Sequence, residues 1–245
     1  MSRPDFSFEK RYWRKGYRWV IGVDEVGRGA FAGPVIAAGA AMKLSNFPIN
    51  QLSNVNKQLF KKMLKLGIDD SKKLSSQKRI KLAKEIKKYF YFGIGEASVT
   101  EINRLGIVKA TERAMRRAIK ELVSRIFNLQ FSIYNQISIS NFKLKKINNI
   151  FLLVDAFHVK YVPGVGLGNQ IGIVHGDSRS ISIAAASIIA KVYRDRLMER
   201  LSNKYTHYGW RSNKGYGTKD HRKHIKKFGV TKLHRSKFVE NWMKV

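Results

Sequence analysis

The chain has 245 residues and no cysteine. That excludes a disulfide framework and thiolate metal ligands, and it allows a reducing compartment. Acidic residues are scarce: 17 against 48 lysines and arginines, a formal charge of +31 at pH 7. A surface so deficient in negative charge suits a polyanion partner. A compositional bias toward lysine is the bland explanation, but such a bias would also be expected to supply acids. No run of ~18 or more apolar residues occurs, so no transmembrane helix is expected. The basic start, Met1 to Trp19, is not followed by an apolar stretch of ~7–15 residues with a cleavage site. These absences predict a soluble, cytoplasmic protein without membrane contact. A hydrophobic content of 44% excludes wholesale disorder and permits one large domain or a domain with a small appendage.

Hydrophobic patterning predicts alternating strands and helices. Trp19 to Val23 reads as a buried strand running into a turn at Asp24 to Gly29, and Val35 to Ala41 as a second strand, antiparallel through that turn. A short helix is expected near Gln58 to Leu66. Ser75 or Ser76 can cap a helix reaching Lys88, with Ile80, Leu82, Ala83 and Ile86 inward. Tyr89 to Ser98 reads as a strand and Val99 to Leu105 as a short helix. Gly106 to Phe127 reads as a long amphipathic helix with Val108, Ala114, Met115, Ala118, Ile119, Leu122 and Ile126 on its apolar face. Ile150 to Val154 and Gln170 to Val174 read as strands, Ser180 to Leu201 as a helix, and Lys219 to Phe228 as another. The class is α/β. Residues 1–17 form a basic, aromatic N-terminal extension, with five cations in the nine positions Lys10 to Arg18. Residues 18–245 form the main domain, with a helical C-terminal portion from about residue 202.

The few acids are informatively placed. Three apolar runs deliver carboxylates at or just after their C-terminal ends: Asp24-Glu25, Asp155 and Asp177. Ligands of α/β sheets bind off those strand ends. Gathered carboxylates repel one another and raise each other's pKa, and a hard divalent cation relieves that strain. The competing reading is that each Asp caps a turn. An acidic nest within a cationic surface suits metal-assisted phosphodiester chemistry, the surface holding the backbone and the acids the metal.

The ordered motifs resemble the ribonuclease HII family, the type 2 ribonucleases H. They are Gly22-Val23-Asp24-Glu25-Val26-Gly27-Arg28-Gly29 with Ala32-Gly33-Pro34-Val35, then Asp70-Ser71-Lys72-Lys73-Leu74-Ser75 and Val154-Asp155-Ala156, then Gly176-Asp177-Ser178 with Ser182 to Lys191, and Gly215-Tyr216-Gly217-Thr218. Arg28 in the glycine turn, and an acidic pair already at residue 24, fit this family better than the related ribonuclease HIII. The resemblance implies a ribonuclease H-like fold: a mixed central sheet flanked by helices, with a C-terminal helical portion. It implies cleavage of RNA in RNA–DNA hybrids, and incision 5′ of single ribonucleotides embedded in duplex DNA, leaving 5′-phosphate and 3′-hydroxyl ends.

By the same resemblance, Asp24, Glu25, Asp155 and Asp177 are the catalytic carboxylates and hold two divalent ions, Mg²⁺ or Mn²⁺. Gly27, Arg28 and Gly29 would read the ribose 2′-hydroxyl, the glycines permitting close approach and positive φ. Tyr216 would stack on the adjoining sugar. Lys72, Lys73, Ser187 and Lys191 would lie near phosphates. A monomer suffices. His175 stands where a lysine commonly precedes Gly-Asp, and the stretches 43–67 and 128–149 look long for the family. Phosphate tracking is expected of the basic runs Lys10–Arg18, Lys61–Lys65, Lys143–Lys146 and His221–Lys227, whereas His221-x-x-His224 is a weak zinc spacing. Two other readings stay open: a non-catalytic nucleic-acid-binding protein, and an integrase- or resolvase-like nuclease that cuts DNA lacking ribose.

Overall fold

The structure, a computed structural model, describes residues 3–44, 54–134 and 149–244. Its centre is a five-stranded sheet in the order β3-β2-β1-β4-β5. Strand β1 (Trp19–Val26) pairs antiparallel with β2 (Val35–Met42), and β2 antiparallel with β3 (Phe90–Ala97). On the other side β1, β4 (Ile150–Asp155) and β5 (Gln170–Ile173) run parallel. The sheet is therefore mixed, as expected. Strand β1 is longer than the sequence predicts. Asp24 and Glu25 stay in the ladder because β2 continues opposite them, with Ala38 and Ala37 as partners.

The period of two in each strand separates two cores. Val20, Ile36, Ala38, Phe151 and Leu153 face one side, where α6 (Ile181–Lys204) packs. Ile21, Val23, Ala37, Leu152 and Val154 face the other, covered by α5 (Ile107–Tyr134). Between Ile181 and Ala190 every residue of α6 is buried, because this segment lies between the sheet and further helices. Gly22 allows that closeness: a Cβ there would lie 2.1 Å from the backbone carbon of Ser182. Helix α5 follows the expected periodicity with one exception, since Val108 is 55% exposed near its start. It extends to Tyr134, into the stretch left open by the sequence; the rest of that stretch through residue 148, including Lys143–Lys146, lies outside the described residues, as do residues 45–53.

Serines set the helix starts. Ser75 accepts from the Lys78 amide at the start of α3 (Ser76–Tyr89), and Ser98 forms a capping box with Glu101 in α4 (Val99–Leu105). Ser180 accepts from Ile183 N at 3.2 Å to begin α6. That helix start holds a further acceptor. Glu9, fully buried, takes hydrogens from Ser180 Oγ at 2.6 Å and Ser182 N at 2.8 Å.

Glu9 belongs to α1 (Ser7–Arg14), a helix absent from the sequence reading. The segment set apart as an extension is packed into the α6-side core. Phe6, Tyr12 and Trp13 are buried, the Tyr12 ring stacks on Phe151, and Trp13 stacks on Phe60 of α2 (Asn54–Lys65). Aromatics interleaved with cations have two uses, and here the rings face inward. At the other end of the chain, α7 (Trp210–Asn213), α8 (Lys219–Phe228) and α9 (Ser236–Met243) close a third cluster around Ala32, Met198, Tyr208, Trp210, Ile225 and Val239. Among the described residues no helix is long and apolar enough to cross a membrane.

Trp13→Ala should destabilise the protein by about 3–5 kcal/mol, the range for emptying a buried aromatic site. Chemical denaturation measures it, and a loss below about 1 kcal/mol would mean that α1 contributes little to the core.

Candidate active site

Strand register assembles the acidic residues. Val23 of β1 pairs in parallel with Val154 of β4, so the following residues, Asp24 and Asp155, lie side by side on adjacent strands. Asp155 in turn pairs with Ile173, the last residue of β5. Four residues further on, a 3-10 turn (Gly176–Ser178) brings Asp177 back toward them. Asp155 Oδ1 accepts the Gly176 amide at 2.7 Å, which ties that turn to β4. The backbone flanking the carboxylates is strained. Ala156 has φ 67° and His175 has φ 55°, left-handed values that cost non-glycine residues free energy.

One oxygen from each of Asp24, Asp155 and Asp177 lies within 4.8 Å of the other two. Their electrostatics are those of a site short of positive charge. Burial, then Glu25 and Asp155, push the Asp24 carboxyl well above the ordinary range, against a hydrogen bond from Ser187. Asp177 is pushed up to about 6, by burial first and then by Asp70 and Asp155. Lys72 supplies part of the missing charge. Burial works against its ammonium, but Asp177, Asp70, Asp24 and Asp155 together hold its pKa above the usual value. Three oxygens in reach of one another, with Asp24 and Asp177 raised by burial and then by their acidic neighbours, fit a hard divalent cation.

Glu25 stands apart from the three. Successive strand residues face opposite sides, so its side chain leaves β1 away from Asp24. It meets Arg28 Nη1 at 3.2 Å, while its Oε2 is buried with no hydrogen-bond partner among the described residues. Burial raises its pKa and Arg28 lowers it, with the net shift upward. That orphaned oxygen leaves Glu25 an acceptor free for a cation or a substrate hydrogen.

The other residues implied by the motifs divide into two sets. Arg28 is half-exposed on the β1–β2 turn, and Gly27 has φ +91°, with Arg194 packed where a Cβ would stand. Gly29 departs from the expectation of a positive φ. It is exposed, and a Cβ there would meet nothing within 4 Å, so only its openness suits close approach. Tyr216 is half-buried and forms a bridge with Ala30 of the turn, and its ring faces Arg194 and Lys191. Its glycine neighbours are packed rather than loose, since a Cβ on Gly217 would strike the Phe31 ring. Lys72 and Lys73 remain exposed near the carboxylates, with Lys73 Nζ 3.3 Å from Ser178 Oγ. Ser187 and Lys191 already have partners. Ser187 is buried against Ser71 Oγ (3.0 Å) and the Asp24 carboxylate, and Lys191 pairs with Asp195 at 2.8 Å.

Three features escaped the sequence reading. Asp70, in the Asp-Ser-Lys-Lys motif, lies within hydrogen-bonding reach of Asp177. Two arginines, Arg194 and Arg235, are fully buried. A chain of rings, finally, fixes the Tyr216 loop. Trp210 Nε1 donates to His221 Nε2 at 3.0 Å, which assigns the His221 proton to Nδ1, where it donates to Tyr216 O at 2.9 Å. His234 Nδ1 accepts from Thr231 N, so its Nε2 proton also points at His221 Nε2, 3.2 Å away. Burial keeps both rings neutral, with the His234 pKa lowered to about 4. This inward commitment of His221 removes the zinc spacing: among the described residues the aspartate triad is the one metal-compatible cluster.

Fold and site together define a nuclease of the ribonuclease H class, a phosphodiester hydrolase whose carboxylates stand at the ends of parallel strands. The pattern of the family described as Ribonuclease HII matches residues 21–241, and the chain belongs to that family. It is 41% identical to the ribonuclease HII of Wolbachia pipientis subsp. Culex pipiens (strain wPip), covering 98% of each chain. It is 40% identical to that of Clostridioides difficile (strain 630), over 96% of this chain and 75% of the relative. In fold it is similar to the structure of the PCNA:RNase HII complex from Archaeoglobus fulgidus, with TM-score 0.57, 24% identity, and coverage of 92% and 94% of the two chains.

The raised Asp177 pKa has a testable sign. A carboxyl raised by folding favours the folded state while protonated; the benefit is complete below ~4 and lost as pH rises through about 6. Asp177→Asn should therefore raise the metal-free melting temperature near pH ~8, with the gain vanishing near pH ~4, where both side chains are neutral. Divalent ion should stabilise the unaltered protein more than the variant in a thermal scan. No gain from the substitution at the higher pH would contradict the repulsion.

Proposed function

We infer that this ribonuclease H hydrolyses the RNA strand of RNA–DNA hybrids and incises duplex DNA 5′ of a single embedded ribonucleotide, leaving 5′-phosphate and 3′-hydroxyl ends. The observation that carries this reading is an aspartate triad built partly on β1, whose Glu25, next to Asp24, accepts from Arg28 of the Gly27-Arg28-Gly29 turn. Asp24, Asp155 and Asp177, together with Glu25, would hold two divalent ions, Mg²⁺ or Mn²⁺. Such ions, when bound, lower the pKa of an attacking water and offset charge on the leaving oxygen.

The chain's own groups do the rest. Lys72 and Lys73 hold phosphate oxygens next to the carboxylates, which would otherwise repel the backbone. Ser187 steadies Asp24 through its hydrogen bond, and Ser71 supports Ser187 in turn. Glu25 accepts from Arg28, so the turn that senses ribose is attached directly to the strand that carries Asp24. Groups of that turn pair with the 2′-hydroxyl, and on all-deoxy substrate they are left unpaired, which penalises DNA. The Tyr216 ring offers a stacking face, its backbone held by His221. The wider cationic surface tracks both strands and makes binding steeply salt-dependent.

The test is a DNA duplex with one ribonucleotide, incubated with Mg²⁺ or with EDTA, the cut being mapped at single-nucleotide resolution. The expected product ends 5′ of the ribonucleotide, appears only with metal, and is lost with Asp24→Asn. Cleavage of all-deoxy duplex would overturn the ribose-sensing role. Binding of hybrid without cleavage would favour a non-catalytic protein. On the same substrate Tyr216→Ala should lose about ten- to a hundredfold in kcat/KM, equivalent to one stacking contact, and Tyr216→Phe much less. Arg28→Ala should lower the preference for ribose; unchanged kinetics would remove Arg28 from that role.

A further inference from the structure

Two fully buried arginines lie under the β1–β2 turn, and neither forms an ion pair among the described residues. Backbone carbonyls surround them instead. Arg194 donates to Pro34 O at 3.0 Å, Ala32 O at 3.1 Å and Lys214 O at 2.8 Å. Arg235 donates to Gly33 O through Nε at 3.0 Å and Nη2 at 2.8 Å, and to Arg28 O through Nη1 at 2.7 Å. A buried charge without a carboxylate is an expensive way to fill space, and apolar side chains would do it at lower cost. The planar guanidinium supplies something an apolar chain lacks: fixed donor directions that fix the carbonyls they meet.

The bond to Arg28 O has a geometric consequence. In a trans peptide the carbonyl of one residue and the amide of the next point in opposite directions. The Arg28 carbonyl is drawn inward by Arg235, so the Gly29 amide hydrogen is turned outward. Gly29 is exposed, a Cβ there would touch nothing within 4 Å, and among the described residues nothing accepts its amide hydrogen. The turn thus displays an aimed, unpaired donor beside the half-exposed Arg28 guanidinium and the acceptor Glu25. Further contacts prevent that peptide from flipping. Arg235 N donates to Phe31 O at 2.8 Å, and Gly33 N donates to Leu233 O at 2.9 Å, which straps the segment before α9 along the turn.

We propose that Arg235 is a positioning residue for ribose recognition: by holding the Arg28 carbonyl it aims the Gly29 amide at the 2′-hydroxyl oxygen of the substrate. The inference rests on the function proposed above and adds to it a residue far from the carboxylates in sequence. Lysine cannot replace the fork, because a single ammonium does not span the Gly33 and Arg28 carbonyls with directed donors.

The experiment measures binding in an Asp24→Asn background, where turnover is blocked. Fluorescence anisotropy compares a DNA duplex carrying one ribonucleotide with its all-deoxy counterpart, with and without Arg235→Lys, and thermal unfolding checks that each variant folds. The expected result is that the ribose preference falls at least about tenfold with Arg235→Lys, the loss falling on the ribonucleotide duplex. A folded variant that keeps its full preference overturns the proposal. If the Asp24→Asn protein itself has no ribose preference, the functional reading fails instead, a distinguishable outcome. Should Arg235→Lys not fold, amide hydrogen exchange on the unaltered protein decides. Gly29 should exchange fast when free and be protected by the ribonucleotide duplex but not by the all-deoxy one. A Gly29 amide already protected in the free protein overturns the proposal.

Discussion

Mutual repulsion among Asp24, Asp155 and Asp177 is the constraint around which this molecule is built. Three carboxylates whose oxygens approach within 4.8 Å, at a partly buried site, resist simultaneous ionisation. Side chains on loops would swing apart. Here two are anchored on adjacent parallel strands, and the third returns on a short turn bonded to one of them. The sheet spacing, close to 4.8 Å between strands, brings together charges that would separate if free. The left-handed residues Ala156 and His175 show the backbone bending to keep them there. Stability is given up locally, and a divalent cation is the kind of group that would recover it.

The helices explain how the sheet tolerates this. Helix α6 packs directly on β1 through Gly22 and carries Ser187 to the buried Asp24. Its own start is held by the buried Glu9 of α1. The N-terminal helix, remote from the carboxylates in function, is therefore linked to them through α6. The C-terminal helices act on the other half of the site. They hold the Gly27–Gly29 turn through Arg235 at the start of α9, joined there by Arg194 of α6, and they hold the Tyr216 loop through the neutral pair His221 and His234.

How much of this could be read from the sequence depended on range. Strand periodicity and the scarcity of acids located Asp24, Asp155 and Asp177, because apolar runs ending in a carboxylate are a local pattern. Ser75 and the helix it caps were legible for the same reason. The strand–turn boundary at Asp24 was misread, since what keeps Asp24 and Glu25 in β1 is a partner strand rather than their own propensity. The Lys10–Arg18 region was ambiguous: its rings would serve nucleic acid or core equally well, and only packing against Phe60 and Phe151 decided. Arg235 was invisible. Its acceptor on Gly33 is 202 residues away, and nothing in the spacing of either segment announces the other. The neutral state of His221 was likewise set chiefly by burial among the C-terminal helices, which its local spacing does not announce.

The most direct test of the electrostatic account is calorimetric titration of Mn²⁺ into the protein without nucleic acid, repeated in buffers of different ionisation enthalpy to count the protons released. Binding should occur at the carboxylate triad, vanish with Asp24→Asn, and release fewer protons as the pH rises above about 6, where Asp177 is already ionised. Mn²⁺ binding that survives Asp24→Asn, or proton release that does not change across that pH, would contradict it.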